Sequence, residues 1–314
     1  MTPESSGRNS HLVHVAVIGA SGFIGAATLR ALVAAGGEVT AVVRRPPAAP
    51  LAEVRYQQAD LGDLRTLVRA FEGVDVIVHA AGYTGADGDL CEQVNYVGTQ
   101  NVLAAADVHG VEAVINLSSI GVYGPGPFTD VVEDTREPNP VTAVSATRAA
   151  ADRIVRAHGG ITVRPGFIHG RRDRWFLPGL RHILGKTRAW VDGGAALLST
   201  ISVDELGSLI ADVALTCSVD DRGALFHAAH PEPHSVFDIA TELAGNDLVA
   251  PDARCTYAEA LAHAATAGLT ARHIDLVGRD HTINPTRLWH RTGRTPMPGA
   301  GAGIRLTDSN WIRQ

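Results

Sequence analysis

The 314-residue chain has a formal charge of -6, 45% hydrophobic residues, 33 glycines and 5% aromatics. That is enough apolar material for one large domain, or a main domain with a satellite, and mild acidity without a run of like charge excludes a nucleic-acid surface, which needs a basic patch. Lys186 is the single lysine among 27 cations, so Schiff-base chemistry and Walker-type phosphate loops use that position or are excluded.

The first ten residues are polar, which predicts a disordered tail at 1–10. They lack an apolar signal core, and no apolar run approaches 18 residues, so the chain is expected in the cytoplasm with no membrane partner. Cys91, Cys217 and Cys255 form no CxxC pair and fit thiols in a reducing compartment. From His11 to Ile18 an apolar run predicts a strand, broken by a glycine turn and followed by a helix over Ala26 to Ala35 that stops at Gly36 and Gly37. Strands are predicted at Val39 to Val43, Val54 to Ala59, Val74 to His79, Ala113 to Leu117, Ile161 to Arg164 and Leu225 to Ala228. Helices are predicted on Leu64 to Phe71, Leu90 to Ala106, Val141 to His158, from Phe176 onward, on Ser202 to Leu215 and on Val236 to Leu243 capped by Ser235. Buried strands alternating with helices give an α/β fold, a doubly wound parallel sheet of the Rossmann type with helices on both faces. Residues 11–165 are expected to form the dinucleotide-binding domain, joined by the later strand near 225–228, and 166–314 mainly a discontinuous substrate or lid lobe.

Gly19, Gly22 and Gly25 stand where the first strand hands over to its helix. Without Cβ atoms the turn is tight and its amides approach a pyrophosphate at the positive helix end. Arg44 and Arg45 close the second strand where an acid would hold a ribose 2'-hydroxyl. Arginine there accommodates a 2'-phosphate, so NADPH/NADP+ is expected ahead of NADH, unless the two arginines are merely solvated.

Seven landmarks then fall in order: Gly19 to Gly25; Asp60-Leu61; His79-Ala80-Ala81-Gly82; Asn95 to Thr99; Ser118-Ser119 to Tyr123-Gly124; Arg164-Pro165-Gly166 to His169-Gly170; and Ser202 to Asp204. With them the chain resembles an extended or atypical short-chain dehydrogenase/reductase over nearly its whole length. The resemblance implies a cofactor cradle of Gly19, Ser21, Gly22, Phe23, Ile24 and Gly25. Arg44, Arg45, Asp60 and Leu61 would face the adenosine, and Ala80, Ala81, Leu117, Arg148, Pro165 and Ile168 would follow the cofactor toward the nicotinamide.

The same family places Tyr and Lys four residues apart on the helix after the fifth strand, Tyr to protonate the alkoxide and Lys to lower its pKa and hold the ribose. Here Val144 and Arg148 occupy those positions. No shift of register restores the pair, because Lys186 has His182 four residues before it. Arg148 suits ribose hydroxyls, but its guanidinium stays protonated and cannot serve as the acid. Candidate replacements at the strand ends are Tyr83, Ser118, Ser119 and His169, each with an ordinary role in packing or backbone bonding. Alternatively the substrate supplies its own proton, as a polycyclic aromatic ketone with a neighbouring phenol allows, with Val144 making room for a flat ring. Val and Arg for Tyr and Lys resemble the atypical ketoreductases of angucyclinone antibiotic pathways. A non-catalytic NADP(H) sensor and a nucleotide-sugar epimerase or reductase are the other readings; the latter needs the missing Tyr base.

His227, His230 and His234 are crowded, but Pro231 and Pro233 deny them a helical face and no metal site is expected. Arg171 to Arg174 either grip an anion or are solvated. Trp175, Phe176 and Trp190 either form a lid or pack in a core.

Overall fold

Val15 and Val17 face one side of the first strand, Ala16 and Ile18 the other, and all four are buried. A strand reads this way when helices cover its sheet on both faces. The computed structural model describes residues 12–244 and 251–296; the tail expected at 1–10 lies outside them. Seven strands form the main sheet: β1 (His14–Ile18), β2 (Glu38–Val43), β3 (Val54–Gln58), β4 (Val76–His79), β5 (Ala113–Leu117), β6 (Ile161–Pro165) and β7 (Leu225–Ala228). Their order is β7-β6-β5-β4-β1-β2-β3, parallel at every pairing. The chain winds outward from β1 through β3 and then crosses back to β4, so the reversal lies between β1 and β4. A doubly wound sheet opens its ligand crevice at that point, beyond the carboxyl ends of the strands.

On one face α1 (Phe23–Ala34) contributes Leu29 and Leu32 to a core that the later helices α7 (Val203–Thr216) and α11 (Thr286–Thr292) complete through Leu206, Leu209, Ile210, Leu288 and Trp289. A Cβ at Gly207 would lie 2.7 Å from the Ala27 carbonyl carbon, so α1 and α7 cross in backbone contact. Ser202 caps α7 by accepting the Glu205 amide at 3.1 Å, and the Asp204 carboxylate accepts from Arg30 at 2.7 Å; that landmark therefore clips the two helices together. The opposite face holds α2 (Leu64–Ala70), α4 (Gly98–His109) and α5 (Ala143–Ala157), the last begun by a capping box between Thr142 and Ser145.

The single helix expected over Leu90 to Ala106 is instead a short α3 (Gly88–Cys91), a π-helical turn at Glu92–Val97, and α4. A π turn carries an extra residue per repeat, which a 3.6-residue pattern cannot register, and such turns concentrate at functional sites.

The boundary expected at 165 is crossed in both directions. β7 returns to the first core as expected, and α7 and α11 join it there, covering the apolar surface of α1 and β7. Conversely, Phe128–Val131 belongs with the second lobe, beside His281–Ile283 in a small sheet. That lobe's own core gathers Leu180 and Ile183 of α6 (Phe176–Thr187), Leu198, Ile239 and Ile274. Phe176 stacks on Phe167 at 5.0 Å and Trp190 tilts against Phe237 at 5.1 Å, so both are packing residues; Trp175 alone of the expected lid aromatics is 66% exposed.

Candidate active site

The glycine turn is built as the sequence predicts. Gly19 is left-handed at φ 79, and a Cβ on it would meet the Ala81 amide nitrogen at 2.8 Å, which brings the turn against the Ala80-Ala81 end of β4. At Gly25 a Cβ would strike the Gly19 carbonyl. No side chain caps the start of α1, so its first-turn amides point toward the crevice, a cradle that fits a dinucleotide phosphate. Ser21 is exposed on the turn, Phe23 and Ile24 are half-buried, and Arg44 and Arg45 are exposed where β2 ends. Asp60 accepts the Gly62 amide at 2.8 Å, while the Leu61 carbonyl accepts from Asn101 at 2.7 Å. Leu117 and Pro165 are buried at the ends of β5 and β6, and Ile168, half-buried, pairs with Ile201 across the start of the second lobe.

Strands β4 and β5 are in register at His79 and Asn116, so Tyr83 and Ser119 emerge from neighbouring strand ends. Arg148 lies between them. Its guanidinium donates to the Ser118 carbonyl at 3.1 Å, and a Cβ on Gly82 would be 3.5 Å from it. Burial pulls the Arg148 pKa down and the Asp152 carboxylate holds it up. Asn95, on the π-helical turn, accepts the Tyr83 amide at 2.7 Å and donates to the Tyr83 carbonyl at 3.0 Å, fixing that backbone while the phenol folds over Gly85. Sequence reasoning placed Asn95 among the landmarks but gave it no site role. Thr99 ties the same turn to His79, whose pKa burial lowers to about 4.

The two serines differ. The Ser118 hydroxyl is buried and donates to Asp152 at 2.8 Å, so its proton is committed. Asp152 also accepts from Asn116 at 3.1 Å and from Arg164 at 2.9 Å. Burial pushes its carboxyl pKa up, and Arg164 and Ser118 pull it back. Arg164 in turn donates to the Tyr123 hydroxyl at 3.0 Å, and Tyr123 lies 2.6 Å from His227 Nε2. Arginine only donates, so Tyr123 accepts from it and donates onward to a neutral His227, whose pKa burial lowers to about 4. Ser119, half-buried at the crevice, accepts the Gly121 amide at 3.0 Å and keeps its own proton to donate.

His169 ends the short strand Phe167–His169 that follows β6. It is buried, paired in register with Ser202, and its pKa is lowered to about 4 by burial and by His234 and His230; it is therefore neutral near pH 7. His230 and His234 face each other at 6.2 Å while His227 turns to Tyr123, so the crowded histidines do not converge. Lys186 lies in the second lobe on a cavity of about 490 Å³ shared with Arg254, Cys255 and His263, away from α5, which has neither Tyr nor Lys.

Fold, crevice and glycine cradle define a nicotinamide-dinucleotide oxidoreductase scaffold. The chain belongs to the NAD dependent epimerase/dehydratase family, whose model matches residues 15–177. A Stigmatella aurantiaca protein described as a 4-hydroxy-2-methyl-3-oxo-4-farnesyl-3,4-dihydroquinoline-1-oxide ketoreductase is 38% identical over 200 residues, 60% of this chain and 60% of that one. The match thus spans less than two thirds of that relative's length. A 2-alkyl-3-oxoalkanoate reductase of Stenotrophomonas maltophilia is 29% identical over 73% of this chain and 74% of its own. Among solved structures, MoeE5 with UDP-glucuronic acid and NAD superposes with a TM-score of 0.75 at 24% identity, covering 96% of this chain and 99% of that one. At that identity the likeness shows the fold.

Proposed function

We propose that this protein is an NADPH-dependent ketoreductase that reduces a ketone of a polycyclic aromatic polyketide, of the kind at C7 of a simocyclinone-type angucyclinone, to the alcohol in antibiotic biosynthesis. What supports the reading is the first turns of α5: Val144 and Arg148 stand at the sequence positions of a phenol and an amine, Arg148 reaches the Ser118 carbonyl at the end of β5, and Ser119 beside it has a proton to give. When bound, the reduced nicotinamide supplies the hydride. Arg148 holds the ribose hydroxyls, Ser119 donates a hydrogen bond to the substrate oxygen, and Val144 leaves an apolar wall for a fused ring. The proton that completes the alcohol comes from a hydroxyl of the substrate beside the ketone, whose conjugate base regains a proton from bulk water as the product leaves, so the enzyme contributes orientation and exclusion of water during hydride transfer. The name of the Stigmatella relative supports reduction of a ketone on a fused bicyclic ring, since it sets a 3-oxo group in a dihydroquinoline. Arg44 and Arg45 support the phosphorylated cofactor.

The absence of Tyr and Lys from α5 also favours a non-catalytic NADP(H) sensor, and the family name alone favours a nucleotide-sugar epimerase, which needs a base at Val144. One experiment separates them: NADPH oxidation followed at 340 nm against fused-ring aromatic ketones, simple ketones and nucleotide sugars. Turnover confined to hydroxylated aromatic ketones is expected. Oxidation of NADPH on nucleotide sugars selects a nucleotide-sugar reductase. Interconversion of the sugar seen by chromatography, with NAD(P)+ present and no net change at 340 nm, selects the epimerase, and tight NADPH binding with neither selects the sensor.

A further inference from the structure

Asp173 anchors the turn that enters α6. Its buried carboxylate accepts the amides of Trp175, Phe176 and Leu177 at 2.8, 3.0 and 2.8 Å. Just upstream the chain bends sharply, with Gly170 at φ 126 and Arg172 at φ 77. Side chains other than glycine rarely adopt that left-handed backbone, and here the anchored turn imposes it. The bend aims Arg172 away from its own lobe. Its Nη2 donates to the Ser21 carbonyl at 3.4 Å, across 151 residues of sequence and onto the glycine turn. Arg171 and Arg174 on either side are exposed and contribute general positive charge. A guanidinium has five donor hydrogens in a fork that matches phosphate oxygens, and the Ser21 carbonyl takes one.

We propose that Arg172 is a phosphate-binding residue for the dinucleotide, a clasp that reaches from the substrate lobe across the glycine turn and takes a cofactor phosphate with its remaining donors. The inference rests on the glycine turn being the dinucleotide site. It gives the cofactor a second task. The clasp continues through Asp173 into α6, whose Phe176, Leu177 and Leu180 lie in the core of the second lobe, so a phosphate held there ties the lobe to the Rossmann sheet.

The test is isothermal titration calorimetry of the full chain with NADPH and, separately, with NADH, for the native protein, Arg172→Gln and Arg174→Gln. Arg172→Gln is expected to raise the Kd about tenfold, the loss of one charged hydrogen bond, and Arg174→Gln to change it by less than about twofold. Equal weakening toward both cofactors assigns the clasp to the diphosphate, whereas weakening confined to NADPH assigns it to the 2'-phosphate; both uphold it. Binding by Arg172→Gln within about twofold of the native protein on both cofactors overturns it, as does equal weakening in Arg174→Gln, which reduces the effect to general charge. If the native protein binds neither cofactor, the dinucleotide reading itself fails. An unchanged thermal midpoint in Arg172→Gln shows that any loss of binding is not a loss of fold.

Discussion

The Arg148 guanidinium meets the Ser118 carbonyl oxygen at 3.1 Å and so ties the middle of α5 to the end of β5. The contact satisfies a buried acceptor at the strand end and fixes a cation where the ribose hydroxyls are expected. Arg148→Ala removes both, leaving the carbonyl unpaired, and should cost cofactor binding about 1–3 kcal/mol. Arg148→Lys keeps the charge but loses the fork, and should recover part of that loss. Fluorescence titration with NADPH measures both. Native-like affinity in Arg148→Ala would remove Arg148 from the cofactor site.

Ser119 bears on the source of the proton. If the substrate provides it, Ser119→Ala deletes one neutral hydrogen bond and kcat should fall by no more than about tenfold. A fall of about three orders of magnitude exceeds what that bond supplies and would make Ser119 the acid. Ser118→Ala acts differently, because its hydroxyl serves Asp152 rather than the crevice. That change should lower the thermal midpoint and leave the KM for NADPH nearly unchanged.

The sheet and the glycine turn were legible in the sequence because both rest on local pattern. Ala113–Leu117 and Leu225–Ala228 form to the residue as predicted, each a short apolar run. The chain of contacts beneath the site was not legible. Asp152, Arg164, Tyr123 and His227 are joined by topology, with Tyr123 and His227 separated by 104 positions, and no spacing rule connects them. Ser118 looked equivalent to Ser119 for the same reason; only the fold reveals which hydroxyl Asp152 holds. The clamp of Asn95 on Tyr83 was half-visible, since Asn95 stood among the landmarks, but its role needs the π-helical turn that periodicity cannot detect. The two- and three-residue strands of the second lobe are too short to carry any period.

Glycines should separate by what surrounds them. At Gly25 a Cβ meets the Gly19 carbonyl, so Gly25→Ala must push the turn off α1, at a cost of about 1–3 kcal/mol together with the phosphate cradle. A Cβ added at Gly179 or Gly185 of α6 would have nothing within 4 Å. Alanine at either should stabilise the protein by about 0.5–1 kcal/mol, through helix propensity. Thermal unfolding with and without NADPH distinguishes the two kinds: Gly25→Ala should lose the midpoint increase on adding cofactor, and the α6 variants should keep it. A Gly25→Ala protein with native cofactor affinity would show that the turn tolerates the displacement.

Burial holds His79, His169 and His227 neutral, with pKa values lowered from 6.5 to about 4. Between those values the unfolded chain binds protons that the folded chain refuses, so stability is complete above pH 6.5 and falls as the pH drops toward 4. The expected loss is on the order of 3 kcal/mol for each imidazole across the window. Asp152, Asp173 and Glu133 act in the opposite sense, because burial raises their pKa values and protonation favours the folded state. The net slope is therefore shallower than the imidazoles alone would give. Variants isolate their share. His227→Gln can still accept from Tyr123, and His79→Asn retains a polar group beside Thr99; neither titrates. Urea midpoints at about pH 7, 5.5 and 4.5 should fall less steeply for each variant than for the native protein. Identical slopes, together with an imidazole at either position that titrates near 6.5 by NMR, would show that these rings are solvated rather than held neutral by the core.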